Sequence, residues 1–206
     1  MSYISTNKQA FGIVAKDYKK YRSSYNSKLY KYLISLVNNK KPLSVLDLGC
    51  GVGNSTEPIL KLINKSSKVF GCDPDVKMLS EGRKSAKKHG LPIVYVQGSA
   101  EKIPFEKQFF DIVFSGAAFH WFATVKAMKE IKSVLKKDAV YAVFWTKQVD
   151  SGPTIGSDLY MKYKWQGIPT QLREPEYIKN IFIKSGFKNV KNISIPYSEK
   201  LIQHMR

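Results

Sequence analysis

From residue 45 onward, short apolar runs alternate with longer stretches in which apolar residues recur every three or four positions. The runs at 45–48, 68–72, 93–97, 110–115 and 140–145 predict strands, and 190–195 predicts a sixth. The stretches 54–63, 74–88, 124–135 and 175–185 predict helices, with Gly90 and Gly186 closing the second and the last. Strand and helix alternating through short loops predict an α/β fold, a doubly wound, Rossmann-like, mostly parallel sheet with helices on both faces. Ahead of this pattern, 11–36 carries Phe11, Tyr18, Tyr21, Tyr25 and Tyr30 among aliphatic residues and reads as one or two helices broken near Ser23 and Ser24. Residues 150–169 lack periodicity but hold Tyr160, Tyr163 and Trp165, the make-up of an insertion that shapes a substrate pocket.

The loop after the first strand is where chemistry enters. Gly49, Gly51 and Gly53 alternate through it, and Asn54 with Glu57 three residues on forms a capping pair for the helix that follows. Such a turn is expected to offer free amides and a helix N-terminus to a polar or anionic ligand group. Asp47 lies inside the strand, where a carboxylate needs donors or a positive charge. Asp73 ends the second strand, about 20 to 30 residues beyond the turn, the usual distance for an acid that accepts ribose hydroxyls. The glycine spacing is not that of dinucleotide enzymes, and no GK[ST] phosphate loop occurs, which argues against NAD(P) and ATP.

Taken in order, DLGCGVG with Asp73, GSAEKIPF and FDIVFSGAAFHWF resemble the class I S-adenosylmethionine-dependent methyltransferases. The resemblance is to their small-molecule branch of trans-aconitate and ubiquinone/menaquinone-type enzymes, and it runs from Phe11 to Ser198. It implies S-adenosylmethionine as cofactor, with Asp47, Gly49, Gly51, Gly53, Asp73 and Gly116 at its site. It also implies adenine contacts from Ser99 and the Ala100 amide, although the family commonly has Asp at the position of Ser99. Residues 1–40 then form a helical lid, bringing Tyr21 to the cofactor and Arg22 to a carboxylate substrate, and 41–206 form the core of a single domain. His120 and Trp121 face the methyl group, His120 for substrate positioning more than as a base. Asp111, at the start of its strand, reads as structural, and Glu101 as a brace for the adenine loop. The family's seventh, antiparallel strand has no counterpart, since the residues from Ser198 on look helical.

The activity implied is O-methylation of a small carboxylate held by Arg22 and His120. C-methylation of a quinone or lipid precursor is the alternative within enzymes, and an idle cofactor-binding or nucleic-acid-binding protein the alternative outside them. Composition changes this picture little. A chain of 206 residues supports one core, and no leader pattern or apolar run of membrane-spanning length is seen, so a cytoplasmic monomer is expected. Cys50 and Cys72 are expected as reduced thiols, and with no His/Cys cluster beside them no metal is expected. The net charge of +18 is the one discordant feature. With lysines near helix ends and loops, at 40–41, 84–88 and 136–137, and no basic stripe interleaved with aromatics, nucleic acid is not the expected partner.

Overall fold

The computed structural model describes residues 25–38, 41–146 and 170–196, together with Ala15 and Lys19. Its sheet has five strands: β1 (Ser44–Leu48), β2 (Lys68–Asp73), β3 (Ile93–Gln97), β4 (Phe110–Gly116) and β5 (Leu135–Phe144). They lie in the order β3-β2-β1-β4-β5, and all four ladders are parallel. The helices are α1 (Ser27–Ser35), α2 (Val76–Lys88), α3 (Val125–Val134) and α4 (Pro175–Lys184). Short 3-10 turns occupy Glu57–Lys61, Phe119–Trp121 and Thr170–Arg173.

Alternation along the strands sends side chains to two cores. Val45, Val69, Ile112 and Phe114 pack with Tyr30, Leu33 and Ile34 of α1 and with Ile59. Leu46, Leu48, Cys72 and Val113 point the other way, onto Met128 and Ile131 of α3 and Ile178 and Phe182 of α4. Ile93, packed against the first core, also meets the cluster of Leu79 and Ala86 from α2 with Tyr95 and Cys50, so α2 shares the face of α1. Each of these buried aliphatic side chains contributes roughly 1.5–3 kcal/mol.

The helices start where short polar side chains cap them. Asn26 accepts from the Lys28 amide, Asp75 from those of Lys77 and Met78, and Thr124 from that of Ala127. Asp111 ties three strands together at their amino ends: its Oδ2 accepts from the Ser44 amide and from the Lys136 ammonium, each at 2.8 Å. The structural reading of Asp111 holds.

Three expectations need correction. The helix expected over 54–63 is only the 3-10 turn Glu57–Lys61, with Thr56 and not Asn54 at its N-cap position. Glu57 turns outward instead, its Oε1 accepting from Lys19 Nζ (2.6 Å) and Ser85 Oγ (2.9 Å). The strand expected at 190–195 carries no regular structure; Asn189 has φ +55° and Ile193 is 46% exposed, so this segment lies off the sheet and β5 is the outermost strand on its side among the described residues. Finally, the helix expected to run through Leu135 stops at Val134. Leu135 is extended and pairs with Phe110, and an irregularity that includes Asp138 (φ +63°) precedes the resumed pairing of Ile112 with Val140.

One ring holds several elements in register. A Cβ added to Gly53 would overlap the Tyr95 hydroxyl, and one on Gly71 or Gly82 would come within 2.8 or 3.0 Å of Tyr95 ring carbons. Among the described residues no helix is long and apolar enough to cross a membrane.

Candidate functional site

A parallel sheet whose order reverses between β1 and β4 leaves a crevice at the carboxyl ends of those strands, and the glycine loop fills its near wall. Gly49, Gly51 and Gly53 all have positive φ, at +76°, +53° and +85°. At Gly49 the need for glycine is also steric, because a Cβ would stand 2.5 Å from Cβ of Ala118 in the loop after β4. The loop does not hold its amides free as expected. Gly49 and Cys50 donate to the Cys72 carbonyl (2.8 and 3.1 Å), Gly51 donates to Asp73 Oδ2 (2.9 Å), and Gly53 donates to the Cys50 carbonyl (2.9 Å). Those bonds tie the loop to the carboxyl end of β2 and to itself.

Asp47 lies behind the loop. It is fully buried; its Oδ2 accepts from the hydroxyls of Ser55 (2.6 Å) and Thr56 (2.7 Å), while its Oδ1 has no partner among the described residues. Burial pushes its carboxyl up from 3.8 to about 7; the two hydroxyl bonds work against that rise and the charge of Asp73 adds to it. A carboxyl raised on folding contributes stability that is complete below 3.8 and is lost as pH rises through about 7. Asp47→Asn retains an oxygen for both hydroxyls and cannot ionise. Its unfolding free energy, measured by urea titration across pH, is expected to lose a fall of up to about 1.4 kcal/mol per pH unit in that window.

Asp73 closes β2 and faces the cleft, each oxygen taking one backbone amide: Oδ2 that of Gly51 and Oδ1 that of Asp75, both at 2.9 Å. Burial raises its carboxyl to about 6, with the two amide bonds opposing the rise. Gly98, Ser99, Ala100 and Glu101 follow β3 into the cleft. This loop is braced by Glu130 of α3, whose Oε1 accepts from the Ile103 amide at 3.0 Å, and not by Glu101. From β4 come Ala117, Ala118, Trp121 and Phe122; Ala117 has φ +51° and donates to the Phe144 carbonyl at 2.8 Å. The space between these walls, open solvent included, is about 810 Å³.

Of the residues expected here, Gly49, Gly51, Asp73, Ser99, Ala100 and Trp121 line the cleft together. Asp47 and Gly53 stand behind it. Gly116 faces away, its α-carbon packed toward Tyr25, Ser55 and Phe144. His120 is half-buried beside the cleft, its ring 4.9 Å from that of Trp121, and is not among the lining residues. Tyr21, Arg22, Tyr160, Tyr163 and Trp165 lie outside the described residues. Met78, Asp75 and Phe122 line the cleft without having been singled out from the sequence. Met78 had a signal, since a side chain in the first turn of the helix after Asp73 is carried back to the same strand end. Cys50 and Cys72 are buried and unbridged.

A family model described as a methyltransferase domain matches residues 46–143, the segment containing every described cleft residue. An uncharacterized methyltransferase of Schizosaccharomyces pombe is 30% identical over 176 residues, 85% of this chain and 66% of that relative's length. A demethylmenaquinone methyltransferase of Staphylococcus carnosus is 29% identical over 184 residues, 78% of this chain and 74% of its own. A crystal structure of a putative S-adenosylmethionine-dependent methyltransferase from Methanococcus maripaludis superposes with a TM-score of 0.61 over 90% of this chain and 86% of its own, a likeness of fold at 17% identity. With the glycine loop, the Asp73 carboxylate and the crevice all inside the matched segment, the chain belongs to the class I S-adenosylmethionine-dependent methyltransferases.

Proposed function

We propose that the chain methylates a neutral, aromatic small molecule at carbon, with S-adenosylmethionine as methyl donor. The observation that carries this reading is the lining of the cleft. On the β4 side it is apolar, formed by Ala117, Ala118, Trp121 and Phe122, and its ionisable groups among the described residues are the carboxylates Asp73, Asp75 and Glu101. Such a wall suits a cationic sulfonium and a neutral acceptor, and disfavours an anionic one. A staphylococcal relative is named for methylating demethylmenaquinone, an acceptor of this class. The carboxylate reading needs a cation to hold the anion, and its candidate, Arg22, lies outside the described residues.

The residues present fit the cofactor. Each Asp73 oxygen holds only one amide and keeps capacity for a ribose hydroxyl. At Gly51 the Met78 methyl would lie 3.0 Å from an added Cβ, so the missing side chain is what keeps the cradle open. When bound, S-adenosylmethionine supplies a methyl on a good leaving group. Ser99 and the Ala100 backbone would hold the adenine edge, and Trp121 would offer an aromatic face to the positive charge. Asp47 acts through Ser55 and Thr56, holding the glycine loop in shape. The protein contributes mainly alignment in a water-poor cleft, an effect that reaches ~7–11 kcal/mol in favourable cases.

The N-terminal segment completes the enclosure in this reading. Ala15 is buried against Val52 and Met78, and Lys19 pairs with Glu57, two contacts that support reading residues 1–40 as a lid. C-methylation also releases a proton from the acceptor carbon, and of the described histidines only His120 sits beside the cleft to receive it. Purified protein is expected to transfer labelled methyl to naphthoquinols or phenols and not to di- or tricarboxylates. His120→Gln is expected to lower that turnover about 10²-fold, with cofactor affinity unchanged. Transfer to tricarboxylates that is lost in Arg22→Ala would replace this reading with the carboxylate one.

A further inference from the structure

In a parallel α/β sheet every strand starts, and every crossover helix ends, at the edge opposite the ligand crevice. That edge gathers much of the chain's positive charge. Lys41 precedes β1, Lys65 and Lys68 lead into β2, Lys107 precedes β4, and Lys136 and Lys137 sit at the start of β5. Hydrogen bonds show that these starts are neighbours. Lys68 donates its amide to the Leu43 carbonyl, the Ser44 amide and Lys136 ammonium share Asp111, and the Gln108 amide donates to Ser133. Across the four adjacent strands β2-β1-β4-β5, about 4.8 Å apart, the row spans roughly 14 Å.

Part of this pattern has an ordinary cause. Lys87, Lys88, Lys132 and Lys184 fall in the last turns of α2, α3 and α4, where a cation offsets the helix dipole. The loop lysines have no such role. Of the acids at this edge, Asp111 is already taken by Lys136 and Ser44, which leaves Glu106 and Asp138 among the described residues. These ten lysines against three acids leave this side at about +7 of the chain's net +18, a local excess on one flat side.

Two exposed aliphatic residues flank the row. Leu36, 43% exposed, follows α1 on one face of the sheet, and Ile183, 50% exposed, lies in the last turn of α4 on the other. We propose that this lysine edge, with Leu36 and Ile183, docks the protein on an anionic lipid surface, leaving the cleft turned away from the headgroups. Lysines ringed by aliphatic side chains suit a layer of phosphate and carboxylate headgroups over an apolar interior. Nucleic acid is disfavoured by the same inventory. Stacking on bases needs exposed aromatics, and those among the described residues, Trp145 and Tyr177, follow β5 and open α4 at the other edge.

The test is co-sedimentation of the full chain with phosphatidylcholine vesicles, with and without phosphatidylserine, at about 0.1 M and about 0.5 M salt. Binding is expected only with phosphatidylserine, weakening steeply at the higher salt. Lys68→Glu with Lys107→Glu is expected to weaken it at least about tenfold, whereas Lys77→Glu with Lys126→Glu, an equal charge change at the cleft edge, retains most of it. Calorimetric cofactor titration of both pairs confirms folded protein and is independent of the docking outcome. No preference for phosphatidylserine, or equal loss in the two pairs, overturns the proposal. Tighter binding of a single-stranded RNA than of the vesicles at matched salt also overturns it and reassigns the edge to nucleic acid.

Discussion

Asp73→Ala is expected to weaken S-adenosylmethionine binding by about 10²- to 10⁴-fold, since two charge-assisted hydrogen bonds at roughly 1.5–3 kcal/mol each are lost against a decade for every 1.4 kcal/mol. The change also frees the Gly51 and Asp75 amides, both held by this carboxylate. Asp73→Asn separates the two effects, because its one oxygen and one amide nitrogen replace two acceptors. The pH dependence gives an independent reading. Only the carboxylate accepts from two ribose hydroxyls, and burial has raised this group to about 6. Affinity is therefore expected to be flat above that value and to fall by about tenfold per pH unit below it, with Asp73→Asn weak and flat throughout. Calorimetric titration with S-adenosylmethionine and its demethylated product across pH measures both. Unchanged affinity in Asp73→Ala would remove the ribose role.

Gly53→Ala is expected to cost about 2–5 kcal/mol of folding stability from two sources: a left-handed backbone conformation, worth about 1–2 kcal/mol, and overpacking, worth about 1–3. The backbone has φ +85°, and the new methyl would overlap the Tyr95 hydroxyl. The ring has nowhere to retreat, being buried and already close under Gly71 and Gly82. Adding Tyr95→Phe deletes the atom struck and is expected to restore the packing part alone, so the double variant lies between Gly53→Ala and the parent. Urea denaturation of the three proteins decides it; a double variant no better than Gly53→Ala would mean that the backbone conformation carries the whole cost.

The sheet was legible in the sequence because five short apolar runs each sit between turn signals, and β1 to β4 match those runs closely. The misreadings have local causes. Residues 54–63 have helical spacing, but Ser55 and Thr56 are drawn inward to Asp47, and only one short 3-10 turn follows. Residues 190–195 alternate like a strand, yet alternation cannot report whether a neighbouring strand is present to receive it. In the site, Gly49, Gly51 and Asp73, whose chemistry is carried by type and spacing, line the cleft. Asp47 was read as a ligand group, and the structure instead makes it an internal acceptor for two hydroxyls. Met78 and Phe122 were missed because apolar lining has no distinctive spacing. Gly116 and His120 follow β4 as expected, but only the pleat and the local turn decide which way each one faces.

The Tyr95 ring makes positions 53, 71 and 82 into one unit, although they belong to a loop, a strand and a helix far apart in the chain. Across related sequences these sites should not vary independently. A lineage that shortens the side chain at 95 frees room for a methyl at 82, while 53 stays glycine because its backbone demands it and 71 because the Cys50 sulfur would still stand 2.8 Å from a Cβ. Substitution at 82 should therefore appear together with loss of the aromatic ring at 95, and substitution at 71 only where position 50 is also smaller, a covariation produced by shared volume rather than by shared chemistry.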